Sequence, residues 1–256
     1  MTKKILVIGR GFVGQSIYNE ILKKNFNISL VGSRNINALP NDYDYVIYAS
    51  GNSSPRKSST EPVSCLESNC FSLLQAVIKF ENAHWILISS ISVYETLKLN
   101  NCREDNEVIL SCKNSIYSAH KILNEFYVKK YIKKYCIMRL SYMYGEFSKK
   151  NIFFDLRSNS KNIYLNQISK IRPLNIKHIS NAVYKTIKVE KVGIFNIANK
   201  NVIEIKELIS MKNVSYEFKN ERYVDESNIC IEKFVKEYGF NETKEELLED
   251  IKKYIN

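Results

Sequence analysis

Tyr117 and Lys121 stand four residues apart in N-S-I-Y-S-A-H-K-I-L-N, residues 114–124, a stretch with helical periodicity. On a helix, side chains at i and i+4 share one face with Cβ atoms roughly 5–6 Å apart. A free phenol titrates near ~10, and a neighbouring cation favours the phenolate. Such a tyrosine can give a proton to an alkoxide, or take one from an alcohol, near neutral pH. In a chain rich in Tyr and Lys the same spacing also arises as a solvated helical pair. Its weight therefore depends on whether the chain supplies a partner hydroxyl, a cofactor and a pocket.

The elements that must position the pair read as alternating strands and helices. Residues 4–8 form a short β-rich apolar run, the pattern of a buried parallel strand. Gly9-Arg10-Gly11-Phe12-Val13-Gly14 follows at once, and then a helical pattern to residue 24. G-x-G-x-x-G between a strand and a helix is a dinucleotide turn. Gly9 allows the tight turn, Gly11 lets a pyrophosphate approach the backbone, and Gly14 lets helix and strand pack closely. The helix N-terminus then faces the phosphates. The plain alternative is an ordinary strand–loop–helix turn.

A second strand over 27–31 ends in Gly32-Ser33-Arg34. No acid is present there to hold a ribose 2′-hydroxyl. Arg34 can pair with a 2′-phosphate and Ser33 can donate to it, which favours NADP(H) and leaves NAD(H) as the alternative. Otherwise Arg34 is a solvated loop residue. The next strand, 45–49, starts only about ten residues on, past Pro40, too soon for a crossover helix. One strand–helix unit after the second strand is thus reduced or absent. This third strand ends Ala49-Ser50-Gly51, and ligands bind at such C-terminal strand ends. Residues 52–60 read as a polar loop, and Glu61-Pro62 opens a helix to about residue 80. A strand over 85–89 leads into Ser90-Ile91-Ser92-Val93-Tyr94, where the Ser90 hydroxyl can lie beside Tyr117. A long polar loop over 95–115, the Tyr117 helix and a strand over 136–140 follow. Residues 146–174 are irregular apart from a helical piece at 152–156. A helix at 178–189 and a strand at 193–198 precede a charged C-terminal part. That part reads as helices at 205–211, 231–238 and 244–254 and a strand at 214–218.

Composition bounds the function. The chain has 256 residues, 45% of them apolar, enough for one full core with a small appendage. No run of ~18 apolar residues occurs, so no membrane partner is expected. The start, Met1-Thr2-Lys3-Lys4, lacks a signal peptide's apolar core, which reads as a mature cytoplasmic N-terminus. The six cysteines form no C-x-x-C pair and do not cluster with the three histidines. Neither a metal site nor a disulfide framework is expected, and idle thiols in a reducing compartment are the plain reading. The net charge of +11 comes from scattered lysines without a nucleic-acid motif. No nucleic-acid partner is expected, and a basic surface suits an anionic small substrate.

Taken together, these segments resemble the extended short-chain dehydrogenase/reductase family, the nucleotide-sugar epimerases, dehydratases and reductases, over nearly the whole chain. V-I-G-R-G-F-V-G is similar to that family's opening glycine motif, one residue shorter. Y-V-I-Y-A-S-G occupies the place of its D-x-V-I-H-L-A-A strand. Glu61-Pro62 with Asn69 resembles its D-P helix. I-S-S-I-S-V-Y resembles S-S-x-x-V-Y-G, and Y-S-A-H-K the catalytic Y-x-x-x-K. Arg139-Leu140-Ser141 with Tyr144-Gly145 resembles R-x-S-N-V-Y-G. Phe195-Asn196-Ile197 and Tyr238-Gly239-Phe240 resemble its Y-N-I and L-G-W segments.

The resemblance implies an α/β fold, a Rossmann-type doubly wound parallel sheet with a small C-terminal substrate-binding appendage. Residues 1–145 and 175–199 would bind NAD(P), and residues 146–174 and 200–256 would form the appendage. It implies Tyr117 as general acid/base, Lys121 lowering its pKa and holding the nicotinamide ribose, and Ser90 bonding the reacting oxygen. Cofactor contacts would come from Gly9, Arg10, Gly11, Phe12, Val13, Gly14, Ser33, Arg34, Ala49, Ser50 and Gly51. Ser92, Tyr94 and Arg172 would touch substrate, a nucleoside-diphosphate sugar, and a homodimer would form through the Tyr117 helix and its neighbour. The 4,6-dehydratases of the family carry Asp-Glu where this chain has Ile91-Ser92, which removes dehydration. Epimerase–reductases carry a cysteine where Ser92 stands. The expected activity is an NADPH-dependent reduction of a 4-keto-6-deoxy sugar nucleotide in surface polysaccharide synthesis. The alternative is an NAD-dependent 4-epimerase. A catalytically idle NADP-binding regulatory protein ranks below both, since Ser90, Tyr117 and Lys121 are all present.

Overall fold

The computed structural model describes residues 2–52, 55–97, 101–212 and 214–256. Strand β1, Lys4–Ile8, alternates its side chains between two buried layers: Ile5 and Val7 enter one core, Leu6 and Ile8 the other. That two-sided burial makes the strand apolar throughout. It is an interior strand, one in from the edge, of a six-stranded parallel sheet. Helix α1, Phe12–Leu22, returns the chain to β2, Asn27–Val31. A single 3₁₀ turn, Ser33–Asn35, then leads to β3, Tyr45–Tyr48, on the other side of β1. β2 is therefore the sheet edge, and the expected loss of a strand–helix unit is seen in the topology.

Helices α2, Pro55–Thr60, and α3, Pro62–Leu66, come next. The expected loop over 52–60 is thus helical from residue 55; residues 53 and 54 lie outside the described residues. A proline fits the first position of a helix, where no amide donor is needed. A π turn, Glu67–Phe71, joins α3 to α4, Ser72–Lys79. β4, His84–Ser90, pairs with β3 on one side and β5, Tyr135–Leu140, on the other. Helix α5, Ile116–Tyr131, connects β4 and β5 and packs on the Leu6 side of the sheet. The segment before it is tied at residue 102: Cys102 N donates to Asn228 O at 2.7 Å and Cys230 N to Cys102 O at 2.9 Å.

The rest of the chain builds the appendage and closes the sheet. In order come β6 (Met143–Tyr144), α6 (Ile152–Arg157), β7 (Asn162–Leu165), β8 (Lys170–Ile171) and β9 (Leu174–Asn175). Helix α7, Ile176–Val189, lies beside α1 and delivers β10, Gly193–Ile197, to the far edge against β5. β11 (Ile203–Glu204), α8 (Ile205–Ile209), β12 (Glu217–Arg222), α9 (Glu232–Tyr238) and α10 (Lys244–Ile255) complete the chain. α6, β7, α8 and α10 share a separate apolar core that includes Phe153, Ile163, Leu208 and Ile251. α9 instead packs Phe234 and Tyr238 into the core of the main sheet. The strand expected over 214–218 falls later, where its parallel pairing with β7 sets Phe218 opposite Ile163.

One polar knot sits inside this apolar frame. Arg139 of β5 and Glu125 of α5 are both fully buried. Arg139 Nε donates to Glu125 Oε1 at 3.0 Å and Nη2 to Oε2 at 2.7 Å. Ser89 Oγ also donates to Oε1 at 2.7 Å. Burial alone would push the Glu125 carboxyl up, but the Arg139 guanidinium, Lys129 and Ser89 hold it below the ordinary carboxylate range. A depressed carboxyl stabilises the fold above its unfolded pKa and loses that contribution as pH falls through the folded value. Glu125→Gln leaves the Arg139 charge buried without its counter-ion and should cost about 3–5 kcal/mol. Chemical denaturation at pH 7 checks this; the loss should shrink as the pH is lowered below about 4.

Candidate active site

At the end of β1 the chain turns on Gly9, whose φ of +126° disfavours any other residue. A Cβ there would also stand 2.7 Å from the Ala49 backbone. A Cβ on Gly14 would stand 1.9 Å from the Gly9 oxygen, so α1 sits directly on the turn. Gly11 differs from both. Its φ of −82° is open to any residue, and nothing lies within 4 Å of where a Cβ would be. Neither backbone nor packing requires glycine there. Gly11 caps α1 without a side-chain bond, and no acid occupies the first turn. The helix N-terminus thus offers unpaired N–H groups and its positive dipole end. These features fit the pyrophosphate of a dinucleotide.

A cavity of about 1270 Å³ runs from this turn across the C-terminal ends of β3, β4 and β5 to the appendage. Arg10, Gly11, Phe12, Val13, Ala49, Ser50 and Gly51, expected at the cofactor, line it. Gly9 and Gly14 shape the turn from behind. Arg10 is exposed, with Nη2 3.5 Å from the Leu30 carbonyl oxygen, which brings it to the end of β2. Ser33 and exposed Arg34 occupy the 3₁₀ turn after β2, outside the cavity lining.

Ser90, Tyr117 and Lys121 meet in the middle of the cavity. Ser90 ends β4, and its Oγ accepts from Ser92 N at 3.2 Å and bonds to the Tyr117 hydroxyl. Tyr117 lies in the first turn of α5, which Ser115 caps by accepting from Ser118 N. Lys121 Nζ lies 5.8 Å from the centre of the Tyr117 ring and donates to the Ile88 carbonyl at 2.9 Å. Burial raises the Tyr117 phenol and the Ser90 bond opposes that rise. The phenol therefore rests protonated. Burial also brings Lys121 down to about 8, with Glu125 opposing. Lys121 is a cation at neutral pH and loses its proton as the pH rises through that value.

Of the three residues expected at the substrate, two face the cavity. Ser92 Oγ is buried there without a partner among the described residues. The Tyr94 hydroxyl accepts from Arg139 and lies 2.9 Å from both Asn196 Oδ1 and the Arg103 carbonyl oxygen, so it braces the site wall. Arg172 is elsewhere: its guanidinium donates to the carbonyls of Glu226, Asn199, Lys200 and Ser227, and it does not line the cavity. Sequence reasoning missed several lining groups. Asn69 Nδ2 donates to His120 Nδ1 at 3.1 Å; an amide NH₂ can only donate, so the ring proton sits on His120 Nε2. Burial lowers His120 and keeps it neutral. Asp155 of α6 is raised to about 6 by burial. Glu226, in the link after β12, is raised to about 7 by burial, against bonds from Arg172 N and Ser141. His120 carried a signal, standing one turn after Tyr117; Asp155 and Glu226 carried none.

A glycine turn under a helix N-terminus and a Ser–Tyr–Lys group on a parallel sheet define a dinucleotide-dependent oxidoreductase. The model of the NAD dependent epimerase/dehydratase family matches residues 5–168, and the chain belongs to that family. It is accordingly an enzyme that uses a nicotinamide dinucleotide. No curated protein matches the chain in sequence. Solved structures share the fold at low identity. UDP-N-acetylglucosamine 4-epimerase from Methanobrevibacter ruminantium M1, in complex with UDP-N-acetylmuramic acid, is 19% identical with a TM-score of 0.81; the match covers 99% of this chain and 97% of that one. MoeE5 in complex with UDP-glucose and NAD is 17% identical with a TM-score of 0.83, covering 98% of each chain. The dTDP-4-dehydrorhamnose reductase of Bacillus anthracis, in complex with NADP, is 16% identical with a TM-score of 0.77, covering 98% and 99%. Among the described residues no helix is long and apolar enough to cross a membrane.

The contrast between the glycines is testable. Gly11→Ala should leave the melting temperature within about 2 °C, since its backbone and surroundings admit a methyl group. Dinucleotide affinity, followed by fluorescence titration, should fall by roughly tenfold or more, because the methyl enters the space the pyrophosphate needs.

Proposed function

We propose that the protein is an NADPH-dependent reductase of a 4-keto-6-deoxy nucleoside-diphosphate sugar, acting in the cytoplasm in surface polysaccharide synthesis. The observation that carries this reading is the end of β2. It has no acid for a ribose 2′-hydroxyl, and it is flanked by the cations Arg34 and Arg10. Two arginines suit a 2′-phosphate through charge and paired N–H donors. The bound dinucleotide supplies the hydride to the keto carbon. Ser90 Oγ holds the keto oxygen by donating to it. Tyr117, protonated at rest, gives its proton to that oxygen as it becomes an alkoxide. The Lys121 cation then favours the phenolate left behind. The sum is one hydride to carbon and one proton to oxygen, which yields the alcohol.

Likeness to the UDP-sugar and dTDP-sugar enzymes above supports the substrate class, as does the cavity's extension to the appendage. The rival reading, an NAD-retaining 4-epimerase, uses the same three residues and draws on the likeness to the M. ruminantium enzyme. We assign dinucleotide binding to residues 1–145 and 175–199 and the substrate appendage to 146–174 and 200–256. The separate core of α6, β7, α8 and α10 supports that division, whereas α9 within the appendage residues packs on the main sheet. We also propose a homodimer through α5 and its neighbour, the α3–α4 segment with its π turn, on which Val63, Leu66, Phe71, Ile78 and Phe126 are exposed.

The assay is oxidation of NADPH in the presence of a dTDP-4-keto-6-deoxyhexose. Tyr117→Phe should lower turnover by ~10²-fold or more while NADPH affinity and melting temperature hold. Unchanged turnover removes Tyr117 from the chemistry.

A further inference from the structure

Glu226 is a buried carboxyl that the proposed chemistry does not use. It is 4% exposed and lines the cavity on the appendage side. Its hydrogen bonds all fall on one oxygen. Oε2 lies 2.7 Å from Ser141 Oγ and accepts from Arg172 N at 2.8 Å. Oε1 has no protein donor among the described residues. The nearby guanidinium of Arg172 donates to backbone carbonyls, Glu226's own included, and not to the carboxyl.

Proton counting explains how the group is held. Ser141 Oγ lies 2.6 Å from the Arg172 carbonyl oxygen as well as 2.7 Å from Glu226 Oε2. A hydroxyl has one proton and cannot donate fully to both. With the proton on Oε2, Glu226 donates to Ser141 Oγ and Ser141 donates to the Arg172 carbonyl. Every contact is then satisfied, and Oε1 is left as a bare carbonyl-type acceptor. The groups that face the carboxyl agree with a proton there: burial outweighs the charges of Arg172 and Arg222, and its other ionisable neighbour is the raised phenol of Tyr142.

Position says what Oε1 meets. Ser141 follows Leu140, the register partner of Ser90 in the β4–β5 pairing. Paired strands lie about 4.8 Å apart and successive Cα atoms ~3.8 Å. The Glu226 carboxyl is therefore anchored within roughly 10 Å of Ser90, beside the reacting end of the cavity and not at the glycine turn. Oε1 is reachable by solvent from the cavity and is not a sealed, unpaired acceptor, so a ligand hydroxyl can take the place of water on it.

We propose that Glu226 contacts the substrate, its Oε1 accepting a hydrogen bond from a ring hydroxyl of the sugar and so fixing the ring before Ser90 and Tyr117. The proposal deepens the nucleotide-sugar reading and rests on it. Arg172, expected at the substrate, becomes the positioning residue that fixes Glu226 through its backbone N–H.

The experiment compares bare and sugar-bearing diphosphates by calorimetry on NADPH-loaded protein: UDP against UDP-glucose, and dTDP against dTDP-glucose. Wild type should bind the sugar form of one pair roughly tenfold more tightly than the bare form. Glu226→Ala and the volume-matched Glu226→Met should bring that ratio close to one and leave bare-diphosphate affinity within about threefold, which also shows that the variants fold. Glu226→Gln loses an acceptor in either amide orientation, at the Arg172 N–H or at the sugar hydroxyl, and should keep only part of the ratio. A ratio unchanged in the Ala and Met variants, or equal weakening of both ligands, overturns the sugar contact. Wild type that binds none of the four compounds overturns instead the nucleotide-sugar reading beneath it.

Discussion

Arg139 and Glu125 meet through two parallel N–H···O bonds in a region closed to water. Each charge is tolerable there only because the other is present. The consequence is geometric. Glu125 lies one helical turn beyond Lys121 and two beyond Tyr117 on the same face of α5. Its carboxylate also accepts from Ser89, the residue before Ser90 on β4. Arg139 reaches from β5 to Tyr94 in the turn that follows Ser90. Tyr94 is in turn 2.9 Å from Asn196 of β10. One ion pair therefore fixes the rotation and height of α5 against three adjacent strands. A slip of one residue along a helix is ~1.5 Å, and an error of ~1 Å at a reacting centre can cost 10²-fold in rate. The pair sets Tyr117, Lys121 and Ser90 to the tolerance that proton transfer needs.

Burial around that knot also sets the working charges. The same low-polarity environment raises the Tyr117 phenol and lowers the Lys121 ammonium. At neutral pH this gives a protonated acid beside a cation, the pairing that proton donation to an alkoxide requires. The ammonium lies 5.8 Å from the Tyr117 ring centre, and the Ile88 carbonyl holds it by a hydrogen bond. The sequence-based expectation of a phenol depressed by Lys121 is thus replaced by a phenol that rests neutral, with the cation poised for the phenolate that proton transfer leaves. At the other end of the cavity the short link after β2 leaves an open edge with Arg34 exposed on it and Arg10 reaching its end.

What was legible in the sequence was local. The glycine turn, the acid-free end of β2 and the helical spacing of Tyr117 and Lys121 each depend on a few consecutive residues, and β1 and β2 fell at their expected bounds. The reduced crossover before β3 was a matter of chain length alone. Residues joined across long separations were not legible. Glu125 gave no sign of its pairing with Arg139 until α5 was laid on β5. Arg172 looked like a free cation for a substrate, yet four backbone carbonyls occupy its guanidinium. Glu226 sat in a charged stretch with no pattern, and only the fold brings it to Ser141. The helix at Pro55–Thr60 was hidden because serines and threonines favour turns as readily as first turns of helices.

The most direct measurement of the central claim is the cofactor state of the purified protein, followed by titration with NADPH and NADH. A protein that comes without tightly held nucleotide, and binds NADPH reversibly and at least tenfold more tightly than NADH, is the result the account predicts. Tightly retained NAD, with no preference for the 2′-phosphate, contradicts it and turns the assignment to the epimerase.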